Sequence, residues 1–536
     1  MRHPHERTTM SLTGLLIIGF ERVATSATFR ATNPAHGSQV DPPFCIAGVE
    51  EVERACKLAV AAFDPYREGS LTSRAHFLDT CATNIMELGD ELLERAGMET
   101  GLPRGRLETE RARTVAQLRL FAQVVRQGDW LGLRIDSAQR ERKPQPRPDL
   151  RQRKIPLGPV AVFGASNFPL AFSAAGGDVA SALAAGCPVI VKAHPLHPGT
   201  SELAASAVSD AARDCALPDG TYSHLSGPSY ELGRTLVVHP GIKAVAFTGS
   251  RTGGFALMQV AGQRREPIPV YAEMSSINPV VLLPGALRAR GRSLASGFVT
   301  SLNLGVGQFC TNPGLVLAID GPGLEEFVAG ARAALGGTAA GQMLAANIAA
   351  NYHKGVERLR AQARVCELAR GAATTSGYSG HALACGALFQ VAAADFSTNP
   401  ALSEEVFGPS SLLVRCRDTA ELIAVLDTLE GQLTATLHLE PEDQAAAARL
   451  LPVLERKAGR LIVNDWPTGV EVCHAMVHGG PYPATSDSRV TSVGTLAIER
   501  FLRPVCYQGF PQELLPHELQ DDVGAQFRRL IDGGHA

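Results

Sequence analysis

Apolar residues recur at helical spacing over Val49–Phe63, Ser73–Glu99 and Arg111–Val125, in stretches rich in good helix formers. The pattern predicts three helices there. Ahead of them, Leu15-Leu16-Ile17-Ile18 is a short continuous apolar run, read as a strand. Between 143 and 154 the prolines at 144, 146 and 148 exclude a regular helix, so this segment is expected to be an extended excursion between domains. From Pro159 the rhythm becomes strand–helix alternation. Pro159–Gly164, Cys187–Lys192 and Ala244–Thr248 read as buried strands, with helices predicted at Phe172–Ala185 and Ser201–Cys215. That alternation predicts a parallel sheet with right-handed crossovers. Ligands of such sheets bind beyond the carboxyl ends of the strands, where Lys192 and Gly249-Ser250 fall. A second α/β region begins near Pro279 and runs to about residue 480. In the tail Thr491–Gln508, residues 495–505 are expected to form a long edge strand, which calls for cover or a partner copy.

The chain has 536 residues, 45% hydrophobic and 19% charged, with net charge −3 and pI near 6.6. This is the composition of a soluble protein of more than one domain. It gives no reason to expect a nucleic-acid or membrane partner. Met10–Phe20 follows a basic start as a signal peptide does, but no small-residue cleavage site follows it. The basic stretch Arg140–Arg147 reads as a solvated or subunit-contacting loop. Eleven cysteines lack CxxC or Cys/His metal spacing. They predict reduced thiols, a cytoplasmic setting, no metal centre, and ten small core residues.

The remaining cysteine carries the chemistry. Cys310 lies in Gly305-Val306-Gly307-Gln308-Phe309-Cys310-Thr311-Asn312-Pro313-Gly314, a glycine-punctuated polar turn suited to a reactive thiolate. Glu273 sits in the mostly apolar stretch Ile268–Met274. Partial burial is expected to raise its pKa and make it a base for a hydrolytic water. Asn167, in Gly164-Ala165-Ser166-Asn167-Phe168-Pro169, offers an amide donor for an oxyanion beside the Cys310 backbone N–H. Thiol, base and donor are the parts of acyl chemistry through a thioester. Lys192 follows four apolar strand residues and offers a cation to a nucleotide. Phe247–Gly254 turns into a helix whose N-terminus suits a pyrophosphate. No strand–GxGxxG–helix fingerprint is present.

With these residues the chain resembles the NAD(P)-dependent aldehyde dehydrogenase superfamily from about Leu16 to Gln508. The fragments that carry the resemblance are Thr32–Gly37, Ala165–Pro169, Lys192, Phe247–Ser250, Glu273, Gly307–Cys310, Glu404–Pro409 and Gly459–Asn464. The resemblance implies an α/β fold of aldehyde dehydrogenase type. A Rossmann-like cofactor domain would take 1–138 and 156–275, an α/β catalytic domain 276–480, and a small β oligomerisation arm 139–155 and 491–510. It implies Cys310 as nucleophile, Glu273 as general base, Asn167 as oxyanion donor and Lys192 at the cofactor ribose. Gly249, Ser250 and Gly254 would lie at the pyrophosphate turn, and Glu405 and Phe407 against the nicotinamide ribose and ring. A homodimer or homotetramer without metal, acting on a small aldehyde, follows from the same resemblance.

Four further stretches are similar to the 2,5-dioxopentanoate branch, close to NADP-linked fatty aldehyde dehydrogenases. They are Ala171–Asp178, Lys192–Pro195, Pro481–Asp487 and Phe501–Gln508. This implies 2,5-dioxopentanoate as substrate; the alternatives are a medium-chain or fatty aldehyde with NADP+, or a catalytically impaired nucleotide-binding homologue. Pro195 stands where NAD-preferring members carry a glutamate, so both NADP and NAD are expected. Ser275 stands where the family has glycine. If that position needs positive φ, Glu273 is displaced and thioester hydrolysis slows.

Overall fold

The computed structural model describes residues 12–372 and 382–535; Met10 and Ser11, the start of the first apolar run, lie outside them. The first sheet runs in the order Val270–Glu273, Ala244–Thr248, Val160–Phe163, Val189–Lys192, Tyr222–Leu225, Leu16–Ile18, Glu21–Val23. Its first five strands are parallel. Leu16–Ile18 joins antiparallel between Tyr222–Leu225 and Glu21–Val23. Val160–Phe163 is buried at every position, as a central strand covered on both faces must be.

The second sheet runs Cys366–Arg370, Ala387–Ala392, Ser410–Cys416, Leu315–Ile319, Val280–Leu282, Gln432–His438, Ala458–Val463. It is parallel apart from its first strand. A third sheet runs Leu502–Gln508, Leu150–Pro156, Arg134–Asp136, Leu530–Ile531, Gly534–His535. The excursion after Pro148 is therefore extended, and it pairs with the tail in antiparallel register from Leu502↔Pro156 to Gln508↔Leu150.

Several boundaries differ from the sequence reading. Ser73–Glu99 is two helices, Leu71–Glu87 and Gly89–Thr100. Gly89 sits at φ +57, a left-handed value that no continuous helix contains. The next helix extends over Arg104–Gln127, between Pro103 and a left-handed Gly128. Its first turns are charged, so no apolar period announced them. Phe172–Ala185 is helical only from Gly177 to Ala185. Before it the chain doubles back, with Gly177 N–H donating to Ala171 O at 2.9 Å. A Cβ on Gly176 would meet that carbonyl at 2.3 Å. In the tail, Thr495–Phe501 is a 3₁₀ segment, and the strand begins only at Leu502. Arg500 causes this: its guanidinium is buried on Asp178 at 2.7 Å and Ser181 at 3.1 Å, which pins the segment to the helix Gly177–Ala185.

Of the cysteines expected in the core, Cys45, Cys56, Cys81, Cys187 and Cys416 are buried, whereas Cys366 and Cys506 are exposed. Among the described residues no helix is long and apolar enough to cross a membrane.

Candidate active site

Cys310 follows the turn Leu304–Gly307, where Gly305, Val306 and Gly307 take φ of +56, +56 and +65. Gly307 is required by close approach, since a Cβ there would meet Gly408 C and Pro409 N at 2.3 Å. Val306 is β-branched in a left-handed conformation, which costs about 1–2 kcal/mol. Side chains brace this turn. Asn278 Nδ2 donates to Cys310 O and Asn312 O, both at 2.9 Å. Gln308 Oε1 accepts from Leu344 N–H at 3.1 Å. Cys310 is thus a half-buried side chain on a fixed backbone.

Glu273 ends the outer strand of the first sheet. The chain returns beside it: Met274 N–H donates to Ala484 O at 2.8 Å, and Ala272 N–H to Ser486 Oγ at 2.8 Å. That return delivers two residues the sequence reading missed. His478 Nε2 lies 2.8 Å from Glu273 Oε1 and 3.3 Å from Cys310 Sγ. Ser492 Oγ donates to Glu273 Oε2 at 2.6 Å. An ionised carboxylate only accepts, so His478 carries its proton on Nε2. Among the described residues His478 Nδ1 is buried without a hydrogen-bond partner. A lone histidine beside Gly479-Gly480 has no spacing relation to Cys310. Its one signal was its place directly before the stretch Pro481–Asp487.

These contacts correct two expectations. Burial pushes the Glu273 carboxyl up, but the His478 imidazole, with the Ser492 and Cys310 hydrogen bonds, outweighs it and holds the group below its usual range. Glu273 is therefore ionised at neutral pH without the raised pKa expected of it. Cys310 moves the other way. Burial raises its thiol well above the usual value, and the adjacent Glu273 charge adds to this. At rest it is a protonated thiol, with the Glu273 carboxylate in place to accept its proton. Ser275 is absent from the positive-φ residues, so its side chain imposes no backbone strain on Glu273.

Glu273, Cys310 and His478 offer one donor atom each within 4.8 Å of one another, a spacing able to hold a metal ion. The sequence, read for local Cys/His motifs, showed no such group. The three residues come from distant segments.

A cavity of about 1240 Å³ opens over Cys310, lined by Asn167, Gly249, Ser250, Glu273, Glu405 and Phe407 among others. Lys192 and Gly254 do not line it. Lys192 ends its strand, where burial lowers its ammonium pKa to about 8. Gly254 packs its helix on the first sheet, since a Cβ there would meet Met274 Sδ at 2.6 Å. That contact, rather than a phosphate, explains the glycine. Asn167 Nδ2 donates to Gln308 O at 3.0 Å, which commits one of its two amide hydrogens.

The cavity also has the features a dinucleotide needs. The N-terminus of the helix Arg251–Gly262 faces it through Gly249, Ser250, Arg251 and Thr252. Thr248 Oγ1, also on its wall, is buried with no partner. Glu405 is half-buried there, and loss of hydration raises its carboxyl to about 8, with the Ser276 backbone N–H opposing.

A nucleophilic thiol, an ionised carboxylate and a dinucleotide-sized cavity between two parallel sheets define a class, and the comparisons agree. Residues 22–483 match the aldehyde dehydrogenase family, and the chain belongs to it. It is an NAD(P)-dependent oxidoreductase acting on aldehydes.

Its similarity to individual proteins is closer still. It is 59% identical to alpha-ketoglutaric semialdehyde dehydrogenase 2 of Azospirillum brasilense, over 98% of this chain and 99% of that protein. It is 48% identical to the alpha-ketoglutaric semialdehyde dehydrogenase of Acinetobacter baylyi, over 97% and 98%. Among solved structures, 1-pyrroline-5-carboxylate dehydrogenase from Thermus with bound NAD superposes at TM-score 0.76 and 22% identity, covering 92% of both chains. Aldehyde dehydrogenase C from Pseudomonas syringae, solved with NAD+ and octanal, gives 0.77 and 21%, covering 93% and 97%. At these identities the two structures speak for the fold.

Proposed function

We propose that this enzyme oxidises 2,5-dioxopentanoate to 2-oxoglutarate. The identity of 59% and 48%, end to end, with two alpha-ketoglutaric semialdehyde dehydrogenases carries this reading. Cys310 Sγ loses its proton to the Glu273 carboxylate, which His478 Nε2–H steadies, and attacks the aldehyde carbon. The second hydrogen of the Asn167 amide and the Cys310 N–H hold the resulting oxyanion. A nicotinamide held there would supply the hydride acceptor that turns the Cys310 adduct into a thioester. Glu273, having released the thiol proton to solvent, takes a proton from water, the water attacks the thioester carbon, and the acid departs as the Cys310 thiolate leaves and recovers the proton from Glu273.

Glu405 and Phe407 would hold the nicotinamide end, Gly249 and Ser250 the pyrophosphate, and Lys192 a ribose. With Pro195 in place of an acid, both NADP+ and NAD+ are used. The strand Leu502–Gln508 ends its sheet with one side unpaired, which supports a homo-oligomer, dimer or tetramer. The setting is cytoplasmic.

The test follows reduced-cofactor absorbance with 2,5-dioxopentanoate and hexanal under each cofactor. A kcat/KM for the keto acid well above that for hexanal supports the reading. Equal values, or a preference for hexanal, would replace it with a medium-chain aldehyde dehydrogenase.

A further inference from the structure

A keto acid that presents its aldehyde to Cys310 still carries a carboxylate four C–C bonds away, about 5 Å when extended. Some group near the thiol has to meet that charge. Arg251 and Arg358 line the cavity but are paired with Glu430 and Glu404, and three further arginines stand behind its wall near Cys310, where their hydrogen bonding separates them. Arg106 is committed: it pairs with Glu110 at 3.6 Å, donates to Asn167 O at 2.8 Å, and lies over the Phe168 and Phe309 rings at 4.7 and 4.8 Å. Arg460 is committed too, with Nη1 on Gly469 O at 2.8 Å and Nη2 on Pro467 O at 2.7 Å.

Among the described residues Arg106 lacks a partner only at Nη1 and Arg460 only at Nε, whereas Arg113 lacks one along a whole edge. It stands on the helix Arg104–Gln127 and packs over Phe172 at 5.2 Å and Phe168 at 5.8 Å. Both rings line the cavity with Cys310. Its Nε and Nη2 are buried and have no hydrogen-bond partner among the described residues. Those two atoms form the side-on edge by which a guanidinium grips a carboxylate with two parallel hydrogen bonds. An unsatisfied buried donor pair of this kind is costly to keep unless something fills it. Burial lowers the Arg113 guanidinium pKa, and the nearby Glu110 and Glu273 carboxylates oppose this.

We propose that Arg113 is the substrate-carboxylate anchor, taking the C1 carboxylate of an α-keto acid on its Nε–Nη2 edge while the distal aldehyde meets Cys310. The aromatic pair Phe168–Phe172, with centroids 5.5 Å apart, packs against the guanidinium and fixes its orientation. The inference rests on the 2,5-dioxopentanoate reading and adds the residue that makes the specificity.

The test compares wild type, Arg113→Gln and Arg113→Lys on 2,5-dioxopentanoate and hexanal. For Arg113→Gln, kcat/KM on the keto acid is expected to fall by about 30- to 100-fold, chiefly through KM. Turnover of hexanal stays within about 2-fold, which also reports that the variant is folded. Arg113→Lys keeps a charge without the fork and falls between. As a readout without turnover, 2-oxoglutarate should slow iodoacetamide alkylation of Cys310 in wild type and not in Arg113→Gln. Equal losses on both aldehydes, or undiminished protection by 2-oxoglutarate, overturn the assignment. A wild type that prefers the keto acid, with an Arg113→Gln that keeps the preference, sinks the anchor alone. A wild type without that preference sinks the substrate reading and the anchor with it.

Discussion

The two sides of Cys310 are built differently. The side proposed for the cofactor is mostly backbone: a Gly249-Ser250 turn, a helix N-terminus, and the half-buried acid Glu405. The substrate side is side chains from remote segments: aromatic rings, the Arg113 guanidinium, and the His478–Glu273–Ser492 chain. Backbone amides recognise what all dinucleotides share. Side chains with uneven charge recognise one substrate and set the proton inventory for one reaction.

The largest test of that division is the residue both sides share. Cys310→Ala should lower turnover by at least about 10⁴-fold on any aldehyde and with either cofactor, measured as reduced-cofactor absorbance. Next comes the base. Glu273→Gln keeps the shape but cannot take a proton from water, so steady turnover should fall by about 10²- to 10⁴-fold. The burst of about one reduced cofactor per subunit should slow as well, because the thiol loses its proton acceptor. A burst at the wild-type rate would confine Glu273 to thioester hydrolysis.

His478→Phe is the third in size. Without the imidazole, burial is no longer outweighed and the Glu273 pKa rises, so the acid limb of the kcat profile moves to higher pH. About a 10-fold loss at pH 6 that shrinks by pH 8 is expected; a loss uniform across pH would assign His478 to packing alone. Stability follows the same sign. A depressed carboxylate stabilises the fold above its unfolded pKa and loses that contribution as pH falls through the folded one. The variant should therefore lose stability at neutral pH and converge on wild type in acid.

The smallest effect falls on the cofactor side and has the opposite sign. Glu405 is raised to about 8, so its burial costs stability progressively as pH climbs from its unfolded value toward 8. Glu405→Gln should raise Tm by about 2 °C at pH 8.5 and leave it unchanged near pH 4.5. A fall in Tm at pH 8.5 would mean that the acid has a partner in the fold.

Much of this architecture was legible along the chain. Uninterrupted apolar runs such as Val160–Phe163 can only be covered central strands, and the switch from runs to helices marks crossovers. The boundary at Leu88 was not legible, because a left-handed glycine inside an apolar period leaves the period intact. Nor was the 3₁₀ segment Thr495–Phe501, whose β-like apolar pattern yields to the buried Arg500–Asp178 pair. The thiol and the carboxylate were legible because each sits in a local motif. Their ionisation was read in the wrong sense, because a pKa belongs to a neighbourhood and the neighbour that decides it, His478, is 205 residues from Glu273 in the chain.

The sequence by itself determined the strand–helix rhythm, the turn that presents Cys310 and the family's chemistry, all of which depend on residues within a few positions of one another. Tertiary structure alone decided which histidine meets the thiol, which arginine is left with an open edge, and which carboxylate is charged. Those properties come from burial and from contacts between segments that meet only when the two sheets and the returning chain close around the cavity.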